Sequence, residues 1–202
     1  MNIWGFLSAS ILLTLIPGPD ILFVITQSIT QGRKAGFIFA LGLCTGLIFH
    51  VAAVSLGISV LLRESPTAFS ILKIGGAAYL FYLGVKAFLH RHQSHLQVGQ
   101  PDRKGNRLYA KGILMNLLNS KVILFFLAFF PQFVDTNKGN TAVQLCILGL
   151  IFIFQALIIF SLVAMLASLL AGGLMKNPRT ALWTNIGTSL IYMIIGISIL
   201  FT

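Results

Sequence analysis

Residues 11–27 read ILLTLIPGPDILFVITQ, and the four positions Pro17-Gly18-Pro19-Asp20 decide how this stretch folds. The two prolines lack amide hydrogens and clash with the preceding helical turn, while Gly18 adds backbone freedom. We therefore do not expect a continuous helix, although the flanking residues are apolar enough for a membrane. Pro19 suits the first position of a restarting helix, where the carboxylate of Asp20 complements the helix N-terminus.

The composition of the whole chain is typical of an integral membrane protein. Of its 202 residues, 57% are hydrophobic and 9% are charged, whereas soluble domains carry about 25% charged residues. A spanning helix needs about 20 apolar residues, so the chain has room for about six. No basic region precedes the first apolar stretch and no small-residue cleavage site follows it. We therefore expect the first apolar stretch to be retained as a membrane span and not to be removed as a signal peptide.

Short polar stretches separate six apolar segments. We predict that these segments are the membrane-spanning helices of an all-α membrane protein, and that the first and fourth helices are broken. They are Ile3–Gln27, Phe37–Leu62, Ala68–Leu89, Leu108–Val134, Ala142–Met175 and Ala181–Phe201. The long polar connection at 90–107 divides the chain into a three-helix repeat (1–89), a basic loop (90–107) and a second three-helix repeat (108–202). Glycines at 42, 46, 75, 76 and 84 indicate close helix packing.

The two halves resemble each other in sequence. Ile21-Leu22-Phe23 recurs as Ile123-Leu124-Phe125, a shift of 102, and Gly46-Leu47-Ile48-Phe49 recurs as Gly149-Leu150-Ile151-Phe152, a shift of 103. Three spans is an odd number, so the second half must enter the membrane from the opposite side. This is the inverted-repeat plan of many secondary transporters.

The basic residues, which give a formal net charge of +10, are unevenly distributed along the chain. The first, third and fifth connections carry ten of them and the opposite side carries three. The positive-inside rule then places loop 90–107 in the cytoplasm and the C-terminus outside, while the irregular first span leaves the side of the N-terminus open. Because the loops are too short for a nucleic-acid-binding surface, we expect no nucleic-acid partner.

The fourth span carries polar residues where the first span is broken. The shift of 102 places Pro17 opposite Asn119 and Pro19 opposite Lys121, within the run NLLNSK at 116–121. Two amides, a hydroxyl and a cation are costly in a bilayer unless they face the interior of the bundle. Interruptions at corresponding positions of two halves are the sequence feature that best indicates a transport site.

At these positions the sequence resembles the lysine exporter superfamily, and within it the bacterial homoserine, threonine and leucine efflux proteins. The resemblance rests on Pro17-Gly18-Pro19-Asp20, Gly42 and Gly46 followed by His50, Tyr79-Leu80 with Gly84, the run 116–121, and Phe130-Pro131-Gln132-Phe133. It covers nearly the whole chain and implies an inner-membrane exporter of amino acids or their derivatives, driven by proton antiport. Ser120 departs from the family pattern, which commonly has proline before the lysine.

The candidate substrate- and proton-binding residues are Pro17, Gly18, Pro19, Asp20, His50, Asn116, Asn119 and Lys121. Asp20 is the one acidic residue inside a predicted span, which favours a proton- or ammonium-binding role over helix capping alone. Lys121 forms a structural ion pair with Asp20, binds a substrate carboxylate, or changes the proton affinity of Asp20 as the transport cycle proceeds. The asparagines either satisfy the broken backbone or bind substrate. His50 either relays protons or makes an interhelical hydrogen bond.

The predicted partners are a small zwitterionic amino acid, protons and the lipid bilayer, with no cofactor. An alternative function is that of a divalent metal-ion or other small-solute exporter, which is suggested by His90, His92 and His95. No carboxylate or cysteine ligand accompanies these histidines. We expect no enzyme activity, because no nucleophile–base pair lies at membrane depth. The sequence leaves a homodimer open, since surfaces that dimerise resemble those that face lipid.

Overall fold

The computed structural model describes residues 2–58, 65–89, 105–135 and 139–169, together with six helical positions at 186, 189, 190, 193, 194 and 197. Every regular element in these residues is helical, as predicted. The helices are α1 (Ile3–Leu15), α2 (Pro19–Gln31), α3 (Arg33–Ala53), α4 (Pro66–Leu89), α5 (Gly105–Leu117), α6 (Ser120–Leu124) and α7 (Thr141–Leu169). A π-helical turn (Val54–Ile58) extends α3. A second π-helical turn (Phe125–Phe129) and a 3₁₀ turn (Phe130–Phe133) extend α6.

Among the described residues, three helices are each long and apolar enough to span a membrane, and up to five spans result when each of two bent helix pairs counts as one. The sixth predicted span, 181–201, lies almost wholly outside the described residues, so this part of the prediction is untested. Helix α7 has 29 residues, which makes it about 44 Å long. The hydrocarbon core is about 30 Å thick, so α7 must tilt or project from it.

The first and fourth predicted spans are both broken, which confirms the reading of their sequences. The axes of α1 and α2 meet at 55°, and those of α5 and the segment from Ser120 to Phe133 meet at 47°. Gly18 is fully extended in the first break, and Pro19 begins α2. Asn119 leaves the helix in the second break with φ −76° and ψ 103°, and its side chain caps α6. Ser120 therefore supports a bend without the proline of the family pattern.

The connection between the first two spans is much shorter than predicted. We expected residues 28–36 to link them, but Gly32 alone lies between α2 and α3. Its φ of 84° is one that glycine adopts without strain. The polar residues before it remain helical because they bond within α2, as when the Ser28 hydroxyl donates to the Val24 carbonyl at 2.7 Å. Helix α5 likewise begins at Gly105, inside the predicted loop 90–107.

Helix α3 lies at the centre of the described bundle and packs against α2, α5 and α7. A Cβ on Gly42 would lie 3.1 Å from the Cα of Gly112, and a Cβ on Gly46 would lie 2.8 Å from a side chain of α5. Small residues of this kind let helix backbones approach closely in a membrane. The predicted packing role is confirmed for both glycines and for Gly76, whereas a Cβ on Gly75 would meet no described atom within 4 Å.

One part of the core is aromatic and joins the first span to the fourth. Its rings belong to Phe6, Phe125, Phe126, Phe129, Phe130, Phe133 and Phe152. The rings of Phe6 and Phe130 meet edge to face with centroids 5.3 Å apart, and such pairs contribute about 0.5–1.5 kcal/mol each. The backbone amide of Asn2 also donates to the Phe133 carbonyl at 3.1 Å. These contacts hold the two broken spans side by side.

Candidate functional site

The two breaks lie against each other, and the second supplies a cation to the first. The Nζ atom of Lys121 donates a hydrogen bond to the carbonyl oxygen of Ile16 at 3.1 Å. In a continuous helix this carbonyl would accept from the amide of residue 20. The break leaves this carbonyl without its helical partner, and the ammonium group of Lys121 donates to it instead. The ammonium packs directly against Gly18, where a Cβ would lie 3.5 Å from Nζ, an ordinary van der Waals contact.

The second break also reaches the first through an asparagine. The Nδ2 atom of Asn116 donates to Oδ2 of Asp20 at 3.4 Å. The Oδ1 atom of Asn119 accepts a hydrogen bond from the amide of Lys121 at 3.1 Å, as the cap of α6, and the Asn119 side chain also interacts with Asp20. The structure therefore brings Asp20, Asn116, Asn119 and Lys121 together, and we call these four residues the break cluster.

The break cluster is buried but not fully hydrogen-bonded. Its four side chains are between 1% and 5% exposed. Within the described residues, Oδ1 of Asp20, Oδ1 of Asn116 and Nδ2 of Asn119 have no hydrogen-bond partner. A buried polar atom without a partner costs about 1–3 kcal/mol, so native proteins contain few of them. Three such atoms beside one cavity need partners, which a water molecule or a polar ligand would supply.

The hydrogen bonds of Asp20 and Lys121 differ from those of a simple ion pair. The two charges interact electrostatically, but the hydrogen bond of the carboxylate comes from Asn116 and that of the ammonium goes to Ile16. Each charge is thus held by neutral groups of the opposite break. The second carboxylate oxygen, Oδ1 of Asp20, stays able to accept a proton or a hydrogen bond.

His50 lies beside the second break. Its Nε2 atom donates to the carbonyl oxygen of Asn116 at 3.2 Å, and its ring stacks on Phe126 with centroids 5.6 Å apart. This confirms the interhelical hydrogen bond that we expected as one of its two roles. The proton-relay role stays a prediction.

A small enclosed cavity borders the break cluster. Asp20, Asn116 and Lys121 line it on one side, and Phe152 and Phe160 of α7 close it on the other. Its volume is about 10 Å³, enough for about one water molecule. An amino acid does not fit, so a substrate can contact these groups only after the broken helices have moved apart.

The structure adds Thr14, a residue that the sequence did not assign to the site. The Nε2 atom of Gln155 on α7 donates to the hydroxyl of Thr14 at 3.0 Å, and Thr14 lines the enclosed cavity. The shift of 102 that relates the two halves makes Thr14 equivalent to Asn116. That shift was the signal by which Thr14 could have been found.

The metal-ion alternative has no structural counterpart so far. The part of the chain that the structure describes contains no group of three histidine, cysteine or acidic side chains placed to hold a metal ion. His90, His92 and His95 lie outside that part. The alternative therefore rests on these loop histidines alone.

A multi-pass helical bundle in which two interrupted spans bring a buried carboxylate and a buried ammonium together belongs to the class of membrane transport proteins. Residues 11–202 match the family model described as LysE type translocator. The chain belongs to this family, as its resemblance to the lysine exporters implied.

Relatives with similar sequences include bacterial efflux proteins. The homoserine/homoserine lactone efflux protein of Salmonella typhi is 33% identical over 193 residues, which cover 96% of this chain and 93% of the relative. The leucine efflux protein of Enterobacter sp. strain 638 is 29% identical over 80% of this chain and 79% of its own length. The membrane protein YrhP of Bacillus subtilis strain 168 is 34% identical over 79% of this chain and 80% of its own length. No solved structure matches the chain.

Proposed function

We propose that this protein exports amino acids or close derivatives across the bacterial inner membrane in exchange for protons. The observation that carries the proposal is the break cluster, where a carboxylate and an ammonium on two interrupted spans leave polar atoms unpaired. The substrate class is supported by relatives whose names specify homoserine, homoserine lactone and leucine. The excess of basic residues supports a cytoplasmic loop 90–107 and an external C-terminus.

A zwitterionic amino acid offers the break cluster one group of each charge. The substrate ammonium donates to Oδ1 of Asp20, with Oδ1 of Asn116 as a second acceptor. The substrate carboxylate accepts from Nζ of Lys121 and from Nδ2 of Asn119. Hydrogen bonds between ionised groups are about twice as strong as neutral ones, so the substrate can replace the neutral partners that these atoms have now.

Proton coupling follows from competition for one carboxylate. A proton on Asp20 removes the negative charge that holds the substrate ammonium, so the two cannot occupy the group together. When the site faces outward, a proton from outside displaces the substrate. When it faces inward, Asp20 releases the proton to the cytoplasm and accepts the next substrate.

Alternating access requires the enclosed cavity to open toward each side in turn. The bends of 55° and 47° divide both broken spans into half-helices that can move separately. We assign this movement to two inverted three-helix repeats, 1–89 and 108–202, that rock against each other. His50 takes part by holding the Asn116 carbonyl at the end of α5.

The proposal is tested by efflux from cells loaded with amino acids by dipeptide feeding. The strains carry empty vector, wild type, Asp20→Asn or the control Asp135→Asn. Asp135 follows the 3₁₀ turn outside the break cluster and contacts Gln144 through its backbone, at 3.1 and 3.0 Å. We expect wild type and Asp135→Asn to accelerate efflux of one or a few amino acids. Asp20→Asn should insert normally but export at no more than about a tenth of that rate, since it loses a charged partner.

Two outcomes would contradict the proposal. Wild-type export by Asp20→Asn would remove this carboxylate from the mechanism, and efflux that survives an uncoupler would exclude proton antiport. If inserted wild-type protein exports no amino acid above the vector level, the function moves to metal ions or other small solutes.

A further inference from the structure

An open cleft lies between α2 and α5, beside the two breaks. Its volume is about 370 Å³, which is in the range of about 300–1,000 Å³ found for small-molecule sites. It is lined by Pro19, Phe23, Lys111, Leu114, Met115, Leu118, Asn119 and Ser120. The spacing of three and four residues puts Pro19 and Phe23 on one face of α2, and Lys111, Leu114 and Met115 on one face of α5. The other three lining residues follow α5 at the second break.

The cleft and the enclosed cavity are separated by single residues of the two breaks. Pro19 lines the cleft while the next residue, Asp20, lines the cavity. Ser120 lines the cleft while the next residue, Lys121, lines the cavity. Asn119 also lines the cleft, although it is only 5% exposed, and its Nδ2 atom has no hydrogen-bond partner among the described residues. A ligand in the cleft is therefore next to the break cluster.

A positive charge is held in position at one wall of the cleft. The Nζ atom of Lys111 lies 4.7 Å from the centroid of the Phe23 ring, where the negative face of the ring attracts a cation. The Phe23 ring is itself stacked on Phe39, with centroids 5.4 Å apart, and Phe39 is completely buried. The ammonium thus rests on a ring that the protein core holds in place.

We infer that the cleft is the site that first receives the substrate on the cytoplasmic side, and that Lys111 binds the substrate carboxylate there. This inference rests on the proposed export function. The side chains of Leu114 and Met115 provide an apolar wall for the substrate side chain. Lys111 lies six residues before the end of α5, about 9 Å along the helix. The carboxylate then passes from Lys111 to Asn119 and Lys121 when the breaks open, so that cations guide it over the whole path.

The test is transport into everted membrane vesicles, whose outer surface corresponds to the cytoplasm. The variants are Lys111→Met, Lys111→Arg and the control Lys34→Met, which removes one exposed lysine from α3 outside the cleft. The probes are leucine and homoserine, with homoserine lactone as a matched probe that keeps the amino group but has no free carboxylate. Lys111→Met keeps an unbranched apolar side chain in the cleft, so this variant tests the role of the Lys111 charge and not that of its packing.

We expect Lys111→Met to raise KM for leucine or homoserine about tenfold, since a hydrogen bond to a charged group contributes about that factor, with kcat within about twofold of wild type. Lys111→Arg and Lys34→Met should behave as wild type, and homoserine lactone should be transported or compete equally well in all four proteins. An unchanged KM in Lys111→Met, or an equal loss for the lactone, would overturn the carboxylate role while leaving the proposed function intact. If wild type takes up none of the three probes but exports another amino acid from dipeptide-loaded cells, that amino acid and its methyl ester replace them in the same comparison. Export of no amino acid at all would overturn the proposed function and this inference with it.

Discussion

Replacing Gly46 by alanine places a methyl group against the break cluster. The new Cβ would lie 2.8 Å from both Cβ and Oδ1 of Asn116 and 3.1 Å from its Cγ. Ordinary van der Waals contacts begin at 3.4 Å, so Asn116 has to withdraw by about 0.6 Å, the difference from 2.8 Å. Because its Cβ is fixed to the backbone of α5, this part of α5 has to move with it. The hydrogen bond from Asn116 to Asp20 is already 3.4 Å long, and a displacement of this size breaks it.

The expected loss can be estimated from that hydrogen bond. A hydrogen bond to a charged group contributes about 1.5–3 kcal/mol, which corresponds to about a ten- to hundredfold weaker binding at the site. The matched variant is Gly42→Ala, one turn earlier on α3, where the added methyl group meets the backbone carbonyl of Tyr109. The overlap with this carbonyl oxygen is larger than the overlap of Gly46→Ala with Asn116, so α3 and α5 must separate further, at a cost of about 1–3 kcal/mol in stability.

The two variants therefore separate packing from transport. We expect Gly42→Ala to lower the apparent melting temperature in detergent by about 2–4 °C per kcal/mol lost, followed by tryptophan fluorescence. Gly46→Ala should lose much more export, measured after dipeptide loading, than its smaller change in melting temperature explains. Gly75→Ala is the control, because its methyl group meets no described atom within 4 Å. Wild-type export by Gly46→Ala, or a loss that only follows the melting temperature as in Gly42→Ala, would refute this reasoning.

Two further sets of substitutions test roles that the sequence left open. His50→Gln keeps a hydrogen-bond donor for the Asn116 carbonyl and should export at more than about half the wild-type rate. His50→Leu should lose export about tenfold, because the carbonyl loses its partner. Equal loss of export in both variants would indicate a proton relay. Replacing His90, His92 and His95 together by alanine should leave amino-acid efflux unchanged within about twofold, since substitutions of solvated loop residues away from the site usually have small effects. The same variant is also tested for the sensitivity of growth to divalent metals. Loss of function in either assay would favour the metal-ion carrier.

The breaks were predictable from sequence because their causes are local. Pro17 and Pro19 cannot continue a helix whatever surrounds them, so the first bend follows from covalent chemistry. The second bend has no proline and was found through the repeat, which aligned Asn119 with Pro17. The structure places that bend where the Asn119 side chain caps the new helix, an alternative to proline for starting a helix.

The rest of the site depends on tertiary packing and could not be read from the chain. The polar end of α2 looked like a loop because its residues are hydrophilic, yet hydroxyl groups such as that of Ser28 bond to carbonyls one turn earlier. Lys111 was counted only as one of the basic residues that orient the protein, since its position over Phe23 brings together residues 88 positions apart. Sequence patterns show which residues share a face of one helix, but not which face of another helix meets it.

The contacts of Asp20 and Lys121 explain why the charges lie on different breaks. A direct ion pair would satisfy both groups, and a substrate would have to compete with it for each charge. The observed bonds to Asn116 and Ile16 hold both charges with neutral partners, which a zwitterion can replace. A substrate bound to both residues would link the first span to the fourth. We propose that this link is the reason for two breaks: a ligand that prefers one arrangement of the half-helices shifts both spans toward it, and its release lets both return.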